Sequence, residues 1–294
     1  MVKGFILIIL TGLLWCANGI LISYVARKSL NFLAVIGIQA LSGTLFVWFF
    51  VSDMHTLFAS PDPRLKQLVF IMVSSGILGA MGMMLMQKAM RIGHHGIVFT
   101  VSQSSMIVPF LLGVIFYGLQ IFQYQLAGLI LLILSVVAFG IGDQRNVAVK
   151  NNLWLPFTLF SFLILGVHQS LATLPSYWVD WTDGANLRVA FMSAGFVIGY
   201  FLAMVIMNRF PDGNALRYGI ISMPFGVPSL ILFFKGIDLM AVHDMVAYAY
   251  PVAVGTCIIS FVAYSLFFLK EKTPAISIAG VGLGVVGLIM ISIK

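Results

Sequence analysis

Long apolar runs alternate with short polar breaks along the whole of this 294-residue chain. A helix needs roughly 20 mostly apolar residues to cross the hydrocarbon core of a bilayer. Ten such segments are predicted, at about 4–25, 31–51, 67–89, 96–117, 123–141, 153–174, 187–207, 217–234, 245–268 and 274–293. The breaks between them have loop chemistry. Arg27-Lys28 ends the first segment, Ser60-Pro61-Asp62-Pro63-Arg64 separates the second from the third, and Asp143 to Asn152 is the one hydrophilic stretch near mid-chain. Pro175 to Asn186 holds Trp178 and Trp181, which suits a loop at headgroup level, where Trp concentrates. The run from Phe5 to Val25 is longer than the apolar region of an ordinary signal peptide, so it is read as a retained first helix.

The pattern is written twice. Phe234-Lys235-Gly236-Ile237 echoes Gln87-Lys88-Ala89-Met90, and Ile278-Ala279-Gly280-Val281 echoes Leu126-Ala127-Gly128-Leu129. The expected organisation is a first five-helix repeat over 1–142, a linker over 143–152 and a second five-helix repeat over 153–294. An odd number of spans per copy turns the second copy upside down relative to the first. The expected fold is therefore all-α and integral to the membrane, ten transmembrane helices in two inverted five-helix repeats. In such proteins the solute site lies between the halves, near the bilayer midplane.

Composition supports a lipid environment. Charged residues are 9% of the chain and apolar ones 61%, with a mean hydropathy of +1.08. A soluble domain carries about a quarter charged residues. The net charge of +7 comes from 16 Lys and Arg scattered singly or in pairs. No basic stripe with interleaved aromatics exists, so nucleic acid is excluded as a partner. The cations mark helix ends. Ten follow odd-numbered spans and six lie opposite, a bias too small to fix the orientation. Cys16 and Cys257 both fall inside apolar runs, where no disulfide is expected. The expected setting is a multi-pass protein of a bacterial inner membrane, monomeric or weakly dimeric.

Polar groups within spans are costly in lipid, so they face the bundle interior and are the first candidates for a site. Asn18, Gln39, Gln87, Ser102, Gln103, Ser104, Ser105, His168, Gln169, Ser170 and Thr173 qualify. Asn18 falls opposite His168 in the repeat. Trp15 and Tyr248 could line a cavity beside them. For each of these the plain alternative is an interhelical hydrogen bond or packing contact that only holds the fold. The predicted substrate-binding set is Trp15, Asn18, Gln87, Ser102, Gln103, His168, Gln169 and Tyr248. None of the nine acidic residues sits mid-span, which argues against a lipophilic cation as cargo. Protons are a candidate coupling ion. The groups to carry them are His168, because imidazole titrates near 6.5, and after it His243 with Asp244. His94 and His95 are read as solvated turn residues. Glycines at helical spacing, Gly76, Gly79 and Gly82 in the third span and Gly280, Gly282, Gly284 and Gly287 in the last, predict close helix contacts. Pro224, Pro228 and Pro251 are candidate kinks in the eighth and ninth spans. No nucleophile triad, metal-ligand cluster or phosphate-binding Gly-Lys loop is written in the chain. No catalytic residue, cofactor or metal is expected, and neither is drive by ATP.

Taken together, the chain resembles the drug/metabolite transporter superfamily in its ten-helix, EamA-like branch. The residues that carry the resemblance are Leu14-Trp15-Cys16-Ala17-Asn18 in the first span and Gln87-Lys88-Ala89-Met90 with Pro109 downstream. In the second copy they are Phe267 to Pro274 with Glu271, followed by Ile278-Ala279-Gly280. The first copy has Tyr117-Gly118-Leu119-Gln120 where that branch often places a Glu. The resemblance implies a secondary transporter of a small polar or zwitterionic metabolite, an amino acid, sugar or related solute. Two readings compete with it: a membrane enzyme acting on lipids, and a non-transporting membrane scaffold. The enzyme would need a His, Asp or Glu cluster at one membrane face, which the loops do not supply.

Overall fold

The structure, a computed structural model, describes residues 1–27, 30–51, 63–92, 98, 101–102, 104–143, 153–178, 185–267 and 275–292. Among the described residues there are ten α-helices and no strand, as the hydropathy pattern predicts. The helices are α1 (Val2–Arg27), α2 (Phe32–Phe46), α3 (Pro63–Ile92), α4 (Ile107–Tyr117), α5 (Gln123–Asp143), α6 (Trp154–Thr173), α7 (Ala185–Ile206), α8 (Gly213–Ala241), α9 (Ala249–Phe267) and α10 (Ala275–Ser292). A π-helical turn, Val47–Val51, continues α2. The 3-10 turns Ser104–Met106, Leu174–Tyr177 and Val246–Tyr248 adjoin α4, α6 and α9. Gln103, His94, His95, Glu271 and residues 144–152 of the expected linker lie outside the described residues.

Among the described residues, six helical stretches are long and apolar enough to cross a membrane: Val2–Leu21, Phe32–Val51, Arg64–Met90, Trp154–Tyr177, Ala185–Ile206 and Gly213–Ala241. The remaining helices offer shorter apolar stretches, Ser104–Tyr117, Gln123–Ser135, Val246–Phe261 and Ile278–Ile291. Large apolar side chains such as Phe49, Phe50, Phe70, Ile115, Phe116 and Ile206 point outward. A helix apolar on its outer face as well as its inner one needs lipid around it. The chain is a multi-pass membrane protein.

Helix starts are set locally. The Asn31 side-chain oxygen accepts from the Ala34 amide, and the Asp212 carboxylate accepts from the Ala215 amide at 2.7 Å. Each thereby satisfies a first-turn donor that has no partner within its own helix. Two expectations are corrected. The eighth segment does not stop at Phe234, because α8 runs through Pro224 and Pro228 to Ala241. Pro251 falls in the first turn of α9, where a missing N–H leaves no bond broken, so it does not interrupt that helix.

Most of the extensive helix contacts join the first five helices to the last five. Gly4 lies against Gly236 and Met240, Thr11 bonds the Ser229 carbonyl, and Tyr24 meets Tyr218, so α1 and α8 run antiparallel. The same holds for α3 and α6, where Ser75 meets His168, Gly82 meets Leu165 and Lys88 lies over Phe157. Gly12 packs on Ala253 and Thr256, and Gly19 faces Phe261, so α1 runs parallel to α9. Gly166 packs on Val108, and Tyr177 on Gly113, so α6 runs parallel to α4. Likewise α3 is parallel to α7, with Gly76 on Gly195 and Gly199 on Ala80, and α2 is parallel to α8, with Ile38 on Gly219 and Gly43 on Val227. The antiparallel pair α5 and α10 meets at Gly128 and Gly287. One end of the bundle thus gathers the starts of α1, α3, α7 and α9 with the finishes of α2, α4, α6 and α8. It is called the near end below, and the opposite one the far end.

Several of these approaches require glycine. A Cβ on Gly76 would collide with the Met192 carbonyl, and one on Gly12 would press on the Ala253 carbonyl and on Thr256. Gly79 leaves the space in which the His168 imidazole sits. Gly282, by contrast, faces open space.

Candidate functional site

The α1 helix presents Trp15 to the interior between α8 and α9. Its indole N–H donates to the Ser229 hydroxyl at 3.1 Å. Its ring lies 5.4 Å from Phe233 and 6.4 Å from Tyr250, which are themselves 4.6 Å apart. Ser229 in turn donates to the Gly226 carbonyl. This bond and the Thr11 contact anchor α1 on the stretch of α8 that carries Pro228, so the aromatic cluster is held by both helices.

One turn further along α1, the Asn18 amide oxygen accepts from Gln39 Nε2 at 2.9 Å, and that nitrogen also reaches the Ser222 carbonyl at 2.9 Å. Asn18 is thereby bound into a three-helix tie among α1, α2 and α8. His168 has a comparable tie. Its Nδ1 lies 2.8 Å from the Ser75 carbonyl and 2.9 Å from the Ser75 hydroxyl, and that hydroxyl lies 3.0 Å from the His168 carbonyl. A consistent assignment has Nδ1–H donating to the Ser75 carbonyl and the hydroxyl donating to the His168 carbonyl. Phe196 meets the imidazole edge-on at 5.6 Å. Asn18 and His168, aligned in the sequence repeat, are not in contact here; each is tied to its own neighbours.

Other buried polar atoms have no such tie. Among the described residues, the hydroxyls of Ser102, Ser105 and Thr256 and the amide oxygen of Gln169 are buried without a hydrogen-bond partner. The Ser104–Met106 turn packs against both α6, which carries Gln169, and α9, which carries Thr256. A buried acceptor or hydroxyl left unpaired costs about 1–3 kcal/mol, so each of these atoms is a position where a polar ligand or water could complete the bonding. Gln87 is half-buried in the last turns of α3.

At the near end, Tyr248 is buried and donates to the Gln125 amide oxygen at 2.7 Å, with Phe110 edge-on at 5.5 Å. Beside it Tyr117 and Tyr177 stack with centroids 3.9 Å apart. His243 and Asp244 occupy the turn after α8, where Asp244 is exposed and takes a left-handed φ of 58°. Sequence reasoning, in which cations mark helix ends and no acidic residue sits mid-span, missed a neighbouring feature. Arg188 is fully buried in the first turn of α7, paired at 2.8 Å with Asp238 on α8 and bonded at 2.6 Å to Ser176. The only signal was a cation just inside the edge of one apolar run and an acid just past the end of another.

Clefts open on the bundle, two of them lined by the described residues as follows. One, of about 410 Å³, lies between α1, α8 and α9 toward the far end, lined by Ala17, Ile20, Leu21, Tyr24, Phe225 and Tyr264. The other, of about 440 Å³, lies at the near end between α3 and the Leu174–Tyr177 turn, with Lys66, Gln67 and Trp178 among its lining.

Residues 2–141 match the EamA-like transporter family. A crystal structure described only as that of a protein shares the fold over nearly the full length, with a TM-score of 0.67 at 11% identity, covering 99% of this chain and 98% of that one. Comparison with curated proteins found no match.

Proposed function

Through residues 2–141 this chain belongs to the EamA-like transporter family of the drug/metabolite transporter superfamily, and from that premise we propose that it carries a small polar or zwitterionic metabolite across the membrane by alternating access, without ATP. The observation that carries the proposal is the exchange of partners between the halves. In the first half α1 packs on α8 and α9, and in the second half α6 packs on α3 and α4. Raising or lowering each number by five turns one set into the other. The pairs α2–α8 and α7–α3 exchange in the same way. The parallel and antiparallel senses follow that exchange too, which supports the reading of two inverted five-helix repeats. Two equivalent sets of contacts let the halves rock between mirror-related states, opening each end in turn around one site.

Within this reading Trp15, Ser102, Gln169 and Tyr248 surround the solute, and Gln103 and Gln87 are further contributors on α3 and the segment before α4. Asn18 and His168 hold the helices that form the wall. Protons, if coupled, act through His168, which is tied to Ser75, or through His243 and Asp244 at the near-end surface. The test is flux: purified protein in sealed liposomes, preloaded with unlabelled amino acids, sugars or nucleosides, should accumulate the matching labelled solute from outside. Accumulation no greater than in protein-free liposomes across all three classes would overturn the proposal.

A further inference from the structure

We infer that the cargo is an uncharged, hydroxyl-rich ring compound, held between Trp15 of the first half and Gln169 of the second; the inference rests on the transporter reading above. The pairing of these two residues follows from the packing register. Gly12 is the point where α1 closes on α9, and Gly166 is the point where α6 closes on α4. Thr11 binds α8 from α1, and Leu165 packs on α3 from α6. Each step along a helix turns the side chain by roughly 100°. Trp15, three residues after Gly12, therefore lies between the directions of α8 and α9, and its contacts with Ser229, Phe233 and Tyr250 agree. Gln169, three residues after Gly166, lies in the same way between the directions of α3 and α4. The two are equivalent inward positions, one from each half.

The chemistry at these positions is uncharged. Gln169 is buried, and its amide oxygen has no partner among the described residues. It awaits a donor such as a hydroxyl. The unpaired hydroxyls of Ser102, Ser105 and Thr256 offer both donors and acceptors. Trp15 supplies a flat apolar face of the kind on which the C–H face of a ring can lie. A carboxylate, phosphate or ammonium group moved into this interior would need a fixed countercharge. Among the described residues Arg188 is the only buried charged side chain; it lies at the near end, paired with Asp238 and bonded to Ser176, with only its Nε left without a partner. Among the described residues, the far-end cleft is lined by uncharged side chains, with the hydroxyls of Tyr24 and Tyr264 as its polar side-chain groups. A site that hydrogen-bonds hydroxyls rejects analogues that lack them, because its own polar groups are then left unpaired.

The experiment uses the full chain in sealed liposomes with four labelled probes: D-glucose, uridine, alanine and glucose 6-phosphate. Each probe is tested by exchange against its own unlabelled form. Uptake of glucose or uridine is expected, with none of alanine or glucose 6-phosphate. Gln169→Ala is expected to lower uptake at subsaturating probe at least tenfold while its melting temperature without solute stays at the wild-type value. Preferential uptake of alanine or glucose 6-phosphate would leave the transporter reading standing and overturn the uncharged class. A Gln169→Ala protein that melts lower yet carries glucose or uridine normally would overturn the assignment of Gln169. Failure of all four probes would count against the transporter reading together with this one.

Discussion

The guanidinium of Arg188, fully buried in the first turn of α7, stands 2.8 Å from a carboxylate oxygen of Asp238 near the end of α8. A second nitrogen donates to Ser176 at the end of α6, and the ring of Phe234 lies 5.6 Å from the guanidinium carbon. Three helices of the second half are joined through this one cation. Removing one member of a buried ion pair leaves the other uncompensated, at a cost of about 3–5 kcal/mol, whereas replacing both by apolar groups is often neutral. Arg188→Met and Asp238→Leu should therefore each lower the melting temperature sharply, and the double variant should recover most of the loss. The check is thermal unfolding of all three in one detergent. Single variants that melt like wild type would show that the pair does not hold the near end.

The reason this pair escaped sequence reasoning is physical. A charge at the edge of an apolar run marks the end of a span in most membrane helices. Burial is feasible at Arg188 only because a carboxylate far along the chain is brought to it, and that depends on how α7 meets α8. What the pattern could carry was the helices themselves, since spanning length is a one-dimensional property. The third-span glycines were legible too, because small residues at helical spacing have one main use in a membrane. Which polar and aromatic positions fall within spans was legible; how the two halves register on each other was not. Asn18 and His168 align by residue number, yet the close contacts at Gly12 and Gly166 make Trp15 and Gln169 the equivalent positions.

The tie between His168 and Ser75 gives a second prediction. His168→Ala removes a ring that fills the space beside Gly79 and takes the Nδ1–H donor away from the Ser75 carbonyl, so it should cost about 1–3 kcal/mol of stability. Solute affinity should change little once the protein is folded. The two are separated by measuring the melting temperature without solute and the half-saturating solute concentration on the same preparation. Unchanged melting with affinity lost would place His168 in the solute site instead.

Helix contact at glycine gives a third. At Gly76 a Cβ would meet the Met192 carbonyl and the Phe196 amide, backbone atoms that cannot turn aside. Gly76→Ala should push α3 away from α7 and cost about 1–3 kcal/mol, as overpacking does. Gly282→Ala, on a surface with nothing within 4 Å, should stay within about 0.5 kcal/mol of wild type. Thermal melts of the two variants side by side decide the point, and equal melting temperatures would mean that α3 and α7 are not in close contact.

The last prediction concerns movement at the near end. Tyr117, at the finish of α4, stacks on Tyr177, at the end of the turn that follows α6, with centroids 3.9 Å apart and ring planes within 9°. One ring belongs to each half, so on the alternating-access reading proposed above, rocking of the halves must part them whenever the near end opens. Cysteines at both positions, in a chain with Cys16 and Cys257 replaced by Ala, can be joined by a short thiol-reactive cross-linker. The joined protein should still bind solute from the far end, where the cleft between α1, α8 and α9 stays open. It should carry none across. A reducible cross-linker restores the movement, so flux should return on adding thiol, and each single-cysteine variant treated with the same reagent should transport throughout. Complete cross-linking with undiminished flux would mean that this stack does not part during transport, and the opening at the near end would have to lie elsewhere, between α3 and the Leu174–Tyr177 turn.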